Sequence, residues 1–329
     1  MSARRTCVRL FLGGLVMSAL GAGASAQEES YPSRPIRYIT PYAPGGSTTF
    51  TARLVGKQLT EAWGEQVIVD NRPGANTIIG TQIAVEANPD GYTLLSIGAA
   101  LAGNQTLVKT PYDALKDIDC IATILSYQNV LVVPPKLPVK SVKDLIELAK
   151  AKPGKIAYGT SSTGGPTHLL AALFSIEADI KTLHVPYKGG GPSVVALMGG
   201  HIQFFFSNPV NVATQIRNGT LHALAVTGES RVAAFPDVPT FAEEGLPKIT
   251  LTNWQGVGGP AGIPKPIIHK ISAEIQKLLA RPDTKETLNK LGFQPFYNDP
   301  EKTEAILKVD IDKYAKIIKA AHITVEPWK

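Results

Sequence analysis

The chain has 329 residues, of which 44% are hydrophobic and only 18% are charged. Its 33 Lys and Arg residues exceed its 27 Asp and Glu residues, which gives a net charge of +6, and the basic residues are scattered rather than clustered. So mild a charge excludes an extended nucleic-acid-binding surface, but it suits a protein that attracts small anions. The length is sufficient for two lobes with separate cores.

The first 26 residues have the pattern of an export signal. Arg4, Arg5 and Arg9 form a basic start, an apolar run covers residues 10–20, and small residues precede a cleavage point after Ala26. This order predicts a cleavable signal peptide over residues 1–26 and a periplasmic location, by the general or the twin-arginine route. The run is too short to favour an uncleaved membrane anchor. Cleavage also leaves a single cysteine, so the mature chain cannot form an internal disulfide.

Short β-like runs alternate with helical segments in the first part of the mature chain. Residues 36–40, 66–69 and 92–97 are rich in β-branched and aromatic residues and predict strands. Apolar residues recur at helical spacing over 48–63 and predict a helix between the first two strands. This alternation is typical of a mostly parallel α/β sheet.

A second series of the same kind begins at a strand over residues 130–133. Ser141 is the predicted N-cap of a helix that runs to Ala151, and a strand over 155–158 leads to a helix over 166–174. Near Trp254 the pattern changes, and helices are predicted over 264–279, 283–291 and 300–320. A late helical block after a complete second unit indicates that the chain returns to its first lobe. The predicted division is residues 27–128 for the first part of lobe 1, 129–252 for lobe 2, and 253–329 for the return to lobe 1.

Two loops of similar composition follow strands in the two predicted lobes. The first covers residues 41–48 and the second residues 159–167, and both are rich in Gly, Ser and Thr. Each precedes a predicted helix, whose free N–H groups and dipole favour an anion. Because ligands of open α/β sheets lie at the carboxyl ends of strands, both loops are expected to face one cleft. The pattern predicts a protein that holds a carboxylate rather than one that transforms it.

Signatures of catalysis, phosphate loops and metal sites do not occur in the sequence. The chain is therefore predicted not to be an enzyme and to need no cofactor or metal. The enzyme alternative is a serine hydrolase that uses Ser161 or Ser162 with His168, but the sequence places no acid to orient this histidine. The polar run 70–74 is interpreted as a structural turn in which Arg72 binds carbonyls or an acid.

An ordered set of short motifs resembles one known family. The motifs cover nearly the whole mature chain, and they are YPSRPI at 31–36, PGGS at 44–47, NRPGA at 71–75, PDGYTLL at 89–95, VPYKG at 185–189, LAVT at 224–227 and PDVPTFAEEG at 236–245. Each motif is weak alone, but their order is specific. The chain resembles the substrate-binding proteins of tripartite tricarboxylate transporters, also called the Bug family.

The resemblance implies a two-lobe periplasmic binding protein, a type II-like Venus flytrap that captures a small organic carboxylate for inner-membrane permease subunits. A di- or tricarboxylate or an aromatic acid is the expected ligand, and the protein is expected to be a monomer. A periplasmic subunit that senses a ligand for a signalling system is the alternative role. The ligand-binding residues that the resemblance implies are Tyr42, Gly45, Gly46, Ser47, Thr48, Ala99, Ser161, Ser162, Thr163, Gly164, Thr167, His168, Ser207 and Asn208.

The chain also departs from the family pattern at one position near the first loop. Family members often carry Asp two residues after the position of Ser47, whereas this chain has Thr49. This departure affects the part of the site that contacts the far end of the ligand, and it leaves the expected carboxylate socket intact.

Overall fold

The computed structural model describes residues 31–324, so the predicted signal peptide lies outside the described residues. Eleven strands occur within the described range. In chain order they are β1 (Ile36–Thr40), β2 (Val67–Asn71), β3 (Thr93–Gly98), β4 (Ile118–Gln128), β5 (Val130–Val133), β6 (Ala157–Thr160), β7 (Leu183–Pro186), β8 (Phe204–Ser207), β9 (His222–Val226), β10 (Thr252–Pro260) and β11 (Gln294–Asn298).

Ten α-helices accompany these strands within residues 31–324. They are α1 (Ser47–Trp63), α2 (Ile78–Val85), α3 (Ala99–Leu107), α4 (Val142–Ala151), α5 (Pro166–Glu177), α6 (Gly190–Met198), α7 (Pro209–Arg217), α8 (Lys265–Ala280), α9 (Pro282–Lys290) and α10 (Pro300–Ala320). Local sequence explains several ends. Ser141 and Asp144 form a capping box at α4, and Gly64 ends α1 in the left-handed conformation, with φ of 81°. None of these helices combines the length and the hydropathy needed to span a membrane.

The strands form two sheets, each with its own helices. The first-lobe sheet has the order β11-β4-β10-β3-β1-β2, and the second-lobe sheet has the order β7-β6-β8-β5-β9. The two-lobe α/β fold predicted from the sequence is confirmed. The sheets are mixed rather than mostly parallel, because β10 is antiparallel to β3 and β4, and β5 is antiparallel to β8 and β9.

Two of the antiparallel strands, β5 and β10, are the ones on which the chain enters a lobe, whereas β11, antiparallel to β4, follows α9. β4 leads into β5 through Asn129 alone, and β9 leads through residues 227–251 to β10. A strand on which the chain enters a lobe from the cleft is antiparallel to neighbours whose carboxyl ends face the cleft. The carboxyl ends of β1, β3, β6 and β8 therefore carry their loops toward the space between the sheets.

The core is rich in aromatic side chains in the second lobe and in aliphatic ones in the first. Phe174 contacts Phe204, Phe206 and Phe241, with ring centroids 5.8–5.9 Å apart. The run 204–206 forms most of the fully buried strand β8. One buried cluster includes residues of both sheets and of α10, so the late helix packs against the core that joins the lobes.

Candidate functional site

The first loop forms an open socket at the start of α1. Gly46 is the N-cap residue and makes no side-chain cap, and the first turn of α1 contains no acidic residue. The first intrahelical bond runs from the N–H of Phe50 to the carbonyl of Gly46 at 3.1 Å. The N–H groups of Ser47, Thr48 and Thr49 therefore have no acceptor within the helix. A Cβ atom built on Gly46 would meet no atom within 4 Å, so the loop borders open space.

Ser47 lies at a junction between the lobes. Its Oγ accepts hydrogen bonds from Nε2 of Gln255 at 2.8 Å and from Nδ2 of Asn208 at 3.2 Å. Asn208 follows β8 of the second lobe, whereas Gln255 lies on β10 of the first-lobe sheet. The side chain of Tyr127 is close to both amides. Burial raises the pKa of Tyr127 to about 12, against the smaller lowering effects of Asn208 and Gln255.

The second loop is ordered by its own hydroxyl groups. Thr167 Oγ1 accepts a hydrogen bond from the N–H of Ser161 at 3.0 Å and lies 3.1 Å from Ser161 Oγ. Ser162 Oγ donates to Oδ1 of Asn76 at 2.8 Å, which is a second contact between the lobes. Gly164 has a φ of 75°, and its N–H donates to Nδ1 of His168 at 2.9 Å. The loop thus approaches the first lobe with its conformation fixed from within.

Asn76 belongs to a strained segment of the first lobe. Ala75, Asn76 and Thr77 have φ values of 45°, 49° and 81°, a conformation that non-glycine residues rarely adopt. Asn104, which is buried, holds the segment through bonds from its Nδ2 to the carbonyl of Asn76 at 2.7 Å and to Thr77 Oγ1 at 3.2 Å. The side chain of Asn76 is thereby presented to the second lobe.

His168 stacks on a second histidine instead of facing a nucleophile. The ring centroids of His168 and His184 are 3.9 Å apart, and Nε2 of His184 lies 2.7 Å from Thr160 Oγ1. Burial, and to a lesser extent the neighbouring His184, lower the pKa of His168 to about 4. At pH 7 the ring is neutral, and its Nδ1 is occupied by the N–H of Gly164. Ser161 and Ser162 bond to Thr167 and Asn76, so neither forms the Ser–His pair that a hydrolase requires.

The remaining predicted residues have different surroundings. Tyr42 is 37% exposed, and its carbonyl accepts a hydrogen bond from Asn71. Ala99 is the buried first residue of α3, Thr163 is partly exposed, and Ser207 is fully buried with its hydroxyl donating to the carbonyl of Asn208. The structure therefore brings Ser47, Asn208, Ser161, Ser162 and Thr167 to the junction of the lobes, and it turns Ser207 into the protein.

Sequence reasoning missed several polar residues at this junction, namely Gln255, Asn76, Asn104, Tyr127 and His184. Asn76 follows the run 70–74, which was predicted to be a turn, but residues 70–71 end β2 and residues 72–74 are irregular. The predicted contact of Arg72 with an acid is present, since its Nε donates to Asp70 at 2.9 Å. Asn71 Nδ2 donates to Thr49 Oγ1 at 2.8 Å, and Thr49 is only 2% exposed. The hydroxyl of Thr49 is therefore used inside the first lobe. The residues between β2 and Asn76 are Arg, Pro, Gly and Ala, and they gave no local signal for the role of Asn76.

Two cavities lie elsewhere on the described surface. One of about 380 Å³ is lined by residues 229–231 with Thr240, Ala242 and Glu243, and another of about 190 Å³ is lined by residues 126–128 with Thr252, Gly292, Gln294 and neighbours. Both lie beside the segments that join the lobes and not at the two loops. Arg231 and Glu243 line the first of these cavities and form an ion pair with an N–O distance of 3.0 Å. Both side chains are exposed, and their charges neutralise each other. The cleft at Ser47 is the better candidate site, because the N-terminus of α1 and the amides of Asn208 and Gln255 converge there.

The fold and the paired loops define a solute-binding protein of the two-lobe periplasmic type. Residues 51–323 match the tripartite tricarboxylate transporter family receptor, and this chain belongs to that family. It is 35% identical to the protein BugT of Bordetella pertussis, over 93% of this chain and 95% of BugT. The predicted family, the solute-binding role and the absence of an enzymatic role are confirmed by these relationships.

Solved structures agree with the family assignment. The periplasmic binding protein BugD superposes with a TM-score of 0.84 and 30% identity, covering 90% of this chain and 100% of BugD. Rpa4515 of R. palustris, solved with adipate, superposes with a TM-score of 0.86 and 29% identity, covering 89% of this chain and 99% of that protein. Both neighbours support the two-lobe binding-protein architecture described above.

Proposed function

We propose that this protein captures a small organic acid in the cleft between its lobes and delivers it to the permease subunits of a tripartite tricarboxylate-type transporter. One observation carries the proposal. The open N-terminus of α1 and the loop before α5 are brought to the same junction by two hydrogen bonds between the lobes, from Asn208 to Ser47 and from Ser162 to Asn76. A carboxylate at this junction would contact both lobes at once.

The chemistry of the junction favours an anion held by neutral donors. A buried carboxylate is costly unless its lone pairs accept hydrogen bonds. The N–H groups of Ser47 and Thr48 at the N-terminus of α1 are oriented as such donors, and bonds to a charged group contribute about 1.5–3 kcal/mol each. His168 is neutral at pH 7, so the pocket binds through dipoles and not through a histidine cation. Adipate in a neighbour that is 29% identical is consistent with a ligand of this class.

The proposed ligand contacts come from both lobes. In the first lobe they come from the loop 42–48 and the start of α3, and in the second lobe from the loop before α5 and the residue before α7. The full set is Tyr42, Gly45, Gly46, Ser47, Thr48, Ala99, Ser161, Ser162, Thr163, Gly164, Thr167, His168 and Asn208, together with Ser207 as a wall residue behind Asn208.

The location and the lobe boundaries of the proposed binding protein follow from the signal peptide and the order of elements in the sequence. The chain is exported by its signal peptide over residues 1–26, as befits a family of periplasmic binding proteins, and acts as a monomer. Lobe 1 comprises residues 27–128 and 253–329, and lobe 2 comprises residues 129–252. The sheets support this division, since β1–β4 with β10 and β11 form one sheet and β5–β9 form the other.

Calorimetric titration of the purified protein tests the proposed ligand class. The panel contains succinate, malate, adipate, citrate and benzoate, with adipamide as an uncharged control that matches adipate in length, and with glucose as a neutral solute. At least one acid is expected to bind at pH 7.5, and adipamide is expected not to bind. Binding of glucose with no response to any acid would overturn the proposal.

A further inference from the structure

The hydroxyl group of Ser47 is surrounded by donors. A serine hydroxyl has one proton and two lone pairs. Nε2 of Gln255 lies 2.8 Å from Ser47 Oγ, and Nδ2 of Asn208 lies 3.2 Å from it, so two amide groups donate to the same oxygen. Both lone pairs are thereby occupied. The proton of Ser47 must then point to a third group.

Each amide makes a second contact, and that of Asn208 is with a backbone N–H, which fixes the orientation of its amide. Asn208 Oδ1 accepts the N–H of Val210 at 3.1 Å as the N-cap of α7, and this leaves Nδ2 to face Ser47. Gln255 Oε1 accepts from Thr51 Oγ1 at 2.7 Å, and the same Thr51 hydroxyl lies 2.9 Å from the carbonyl of Ser47 in a three-centre arrangement. Thr51 is 2% exposed and Gln255 is 7% exposed, so water does not compete freely for these bonds.

We propose that Gln255 is a specificity-determining positioning residue, which forces the hydroxyl of Ser47 to act as a donor toward the cleft and so restricts the first-lobe socket to groups that only accept hydrogen bonds. A carboxylate oxygen meets this condition, whereas a primary amide nitrogen or an ammonium group does not. The inference rests on the proposed function, because it deepens the choice of ligand at the same site. It adds a residue from β10 that the two loops do not contain.

The direction of the hydrogen bond between residue 255 and Ser47 depends on whether residue 255 has a proton to donate. A carboxylate in place of the amide has no proton to donate, so Ser47 would turn its own proton toward residue 255 and away from the cleft. A protonated carboxyl group restores the original direction, because its O–H can donate to Ser47 Oγ in the place of Nε2. Exchange of glutamine for glutamate therefore converts a fixed donor into one that depends on pH.

The other titratable groups near Gln255 lie on β4, on α10 and in the first loop. Tyr127 faces the amide from β4, and with a pKa of about 12 it stays neutral at pH 5.5–7.5. Burial around the hydroxyl raises the pKa of Tyr42, although the residue is 37% exposed, and burial also raises that of Tyr314. Asp310 on α10 accepts a hydrogen bond from Trp254 Nε1 at 2.6 Å, and burial raises its pKa. Asp310 is present in every variant compared below.

Calorimetry with adipate as the probe, or with the tightest-binding acid of the panel if adipate is not bound, tests the proposal at pH 7.5 and pH 5.5. Three variants are compared with the wild type: Gln255→Glu, Gln255→Met and Gln294→Glu. Gln294 is exposed on β11 of the same sheet, so its variant controls for an added charge. The readout is the ratio of each variant's Kd to that of the wild type at the same pH, which cancels protonation of the probe itself.

The Gln255→Glu variant is expected to bind about 30-fold more weakly than the wild type at pH 7.5 and less than about 5-fold more weakly at pH 5.5. Gln255→Met is expected to lose about 3- to 10-fold at both pH values, since it removes the donor without adding a titratable group. Gln294→Glu is expected to match the wild type. Equal binding by Gln255→Glu at pH 7.5, or a loss that does not recover at pH 5.5, would overturn the role of Gln255 and leave the proposed function intact. A wild type that binds no acid of the panel refutes both.

Discussion

His168 is a buried histidine of the candidate site that carries no charge at pH 7. Its Nδ1 accepts the N–H of Gly164 at 2.9 Å, and this bond fixes a glycine with a φ of 75° in the second loop. Protonation of Nδ1 would abolish this acceptor and place a cation against His184, whose ring is 3.9 Å away. The neutral form is thus the one that maintains the loop, and stability should depend on pH accordingly.

The free energy of unfolding is expected to fall as the pH is lowered from about 6.5 toward 4. The pKa of His168 is about 4 in the folded protein against an ordinary value of 6.5, so the unfolded chain binds more protons in this window. The difference corresponds to about 2 kcal/mol lost between pH 7 and pH 4.5. In a His168→Asn variant this component is expected to be absent, because Asn offers an acceptor but does not titrate. Urea unfolding at the two pH values measures it.

The matched control for this prediction is His269→Asn. His269 is exposed on α8 and lies outside the site, so its variant should retain the wild-type decline in stability. A His168→Asn variant that declines as steeply as the wild type would show that His168 is not the group responsible.

Residues of the site differ in how far sequence could identify them. Ser47 and Thr167 lie in Gly-, Ser- and Thr-rich loops before helices, a local pattern with a direct physical meaning. Gln255 has no such context, because its role depends on Thr51 and Ser47, which are more than 200 positions away in the chain. Asn76 is similar, since its left-handed conformation depends on Asn104. Local chemistry is therefore readable, whereas positioning by distant residues is not.

Strand β10 is an element that could not be predicted from its own residues. Its sequence contains Gly256, Gly258 and Gly259, which are poor strand formers, and it was not predicted as a strand. The structure explains these glycines by close backbone approach. A Cβ on Gly256 would lie 2.6 Å from the carbonyl oxygen of Ala122, and one on Gly258 would lie 2.9 Å from that of Asp119. Regular elements such as α1 and α10 were predicted almost to the residue, whereas this central strand needed its neighbours.

One hydroxyl group joins the two segments of the chain that connect the lobes. Thr227 Oγ1 accepts the N–H of Asn129 at 3.0 Å and donates to the carbonyl of Leu251 at 2.7 Å, and Thr227 is fully buried. The N–H of Thr227 also donates to the carbonyl of Asn129 at 3.0 Å. Asn129 separates β4 from β5, and Leu251 precedes β10, so Thr227 ties together the segments on which any movement of the lobes must depend.

Replacement of Thr227 by Val is expected to reduce the free energy of unfolding by about 1–3 kcal/mol. The two side chains have nearly the same shape, so the loss reflects the unsatisfied N–H of Asn129 and carbonyl of Leu251. Urea unfolding at pH 7 measures the change. Thr287→Val on the exposed face of α9 is the control, and it is expected to stay within about 0.5 kcal/mol of the wild type. Equal stability of both variants would contradict the bridging role of Thr227.

For the whole molecule, the order of strands and helices predicted the two-lobe α/β class, and the ordered motifs indicated the family. The mixed direction of the sheets could not be derived in the same way. For β5 and β10 it arises because they enter their lobes from the cleft, and this becomes evident only when the crossing points at Asn129 and before Thr252 are known. Strand β11, which follows α9, adds a further antiparallel pair with β4. Strand direction is thus a property of the path of the chain and not of any single segment.

Direct hydrogen bonds cross the cleft between the lobes, and they lead to a prediction about shape in solution. Asn208 bonds to Ser47, and Ser162 bonds to Asn76, across the cleft. Each bond contributes about 1 kcal/mol, so removal of both should shift the balance between open and closed lobes by more than tenfold toward open. The double variant Asn208→Ser with Ser162→Ala removes both, while serine retains the capability to cap α7. Small-angle scattering is expected to give a larger radius of gyration for this variant than for the wild type.

The control carries the same number of changes outside the cleft, with Ser33→Ala and Asn218→Ala at exposed positions, and should keep the wild-type radius. Saturation with a bound acid from the panel should bring the double variant back toward the wild-type radius, because a carboxylate that contacts both loops replaces the lost bonds between the lobes. A radius that is unchanged by the double substitution would mean that these bonds do not control the lobes. A larger radius that the acid does not reduce would place the ligand on one lobe only.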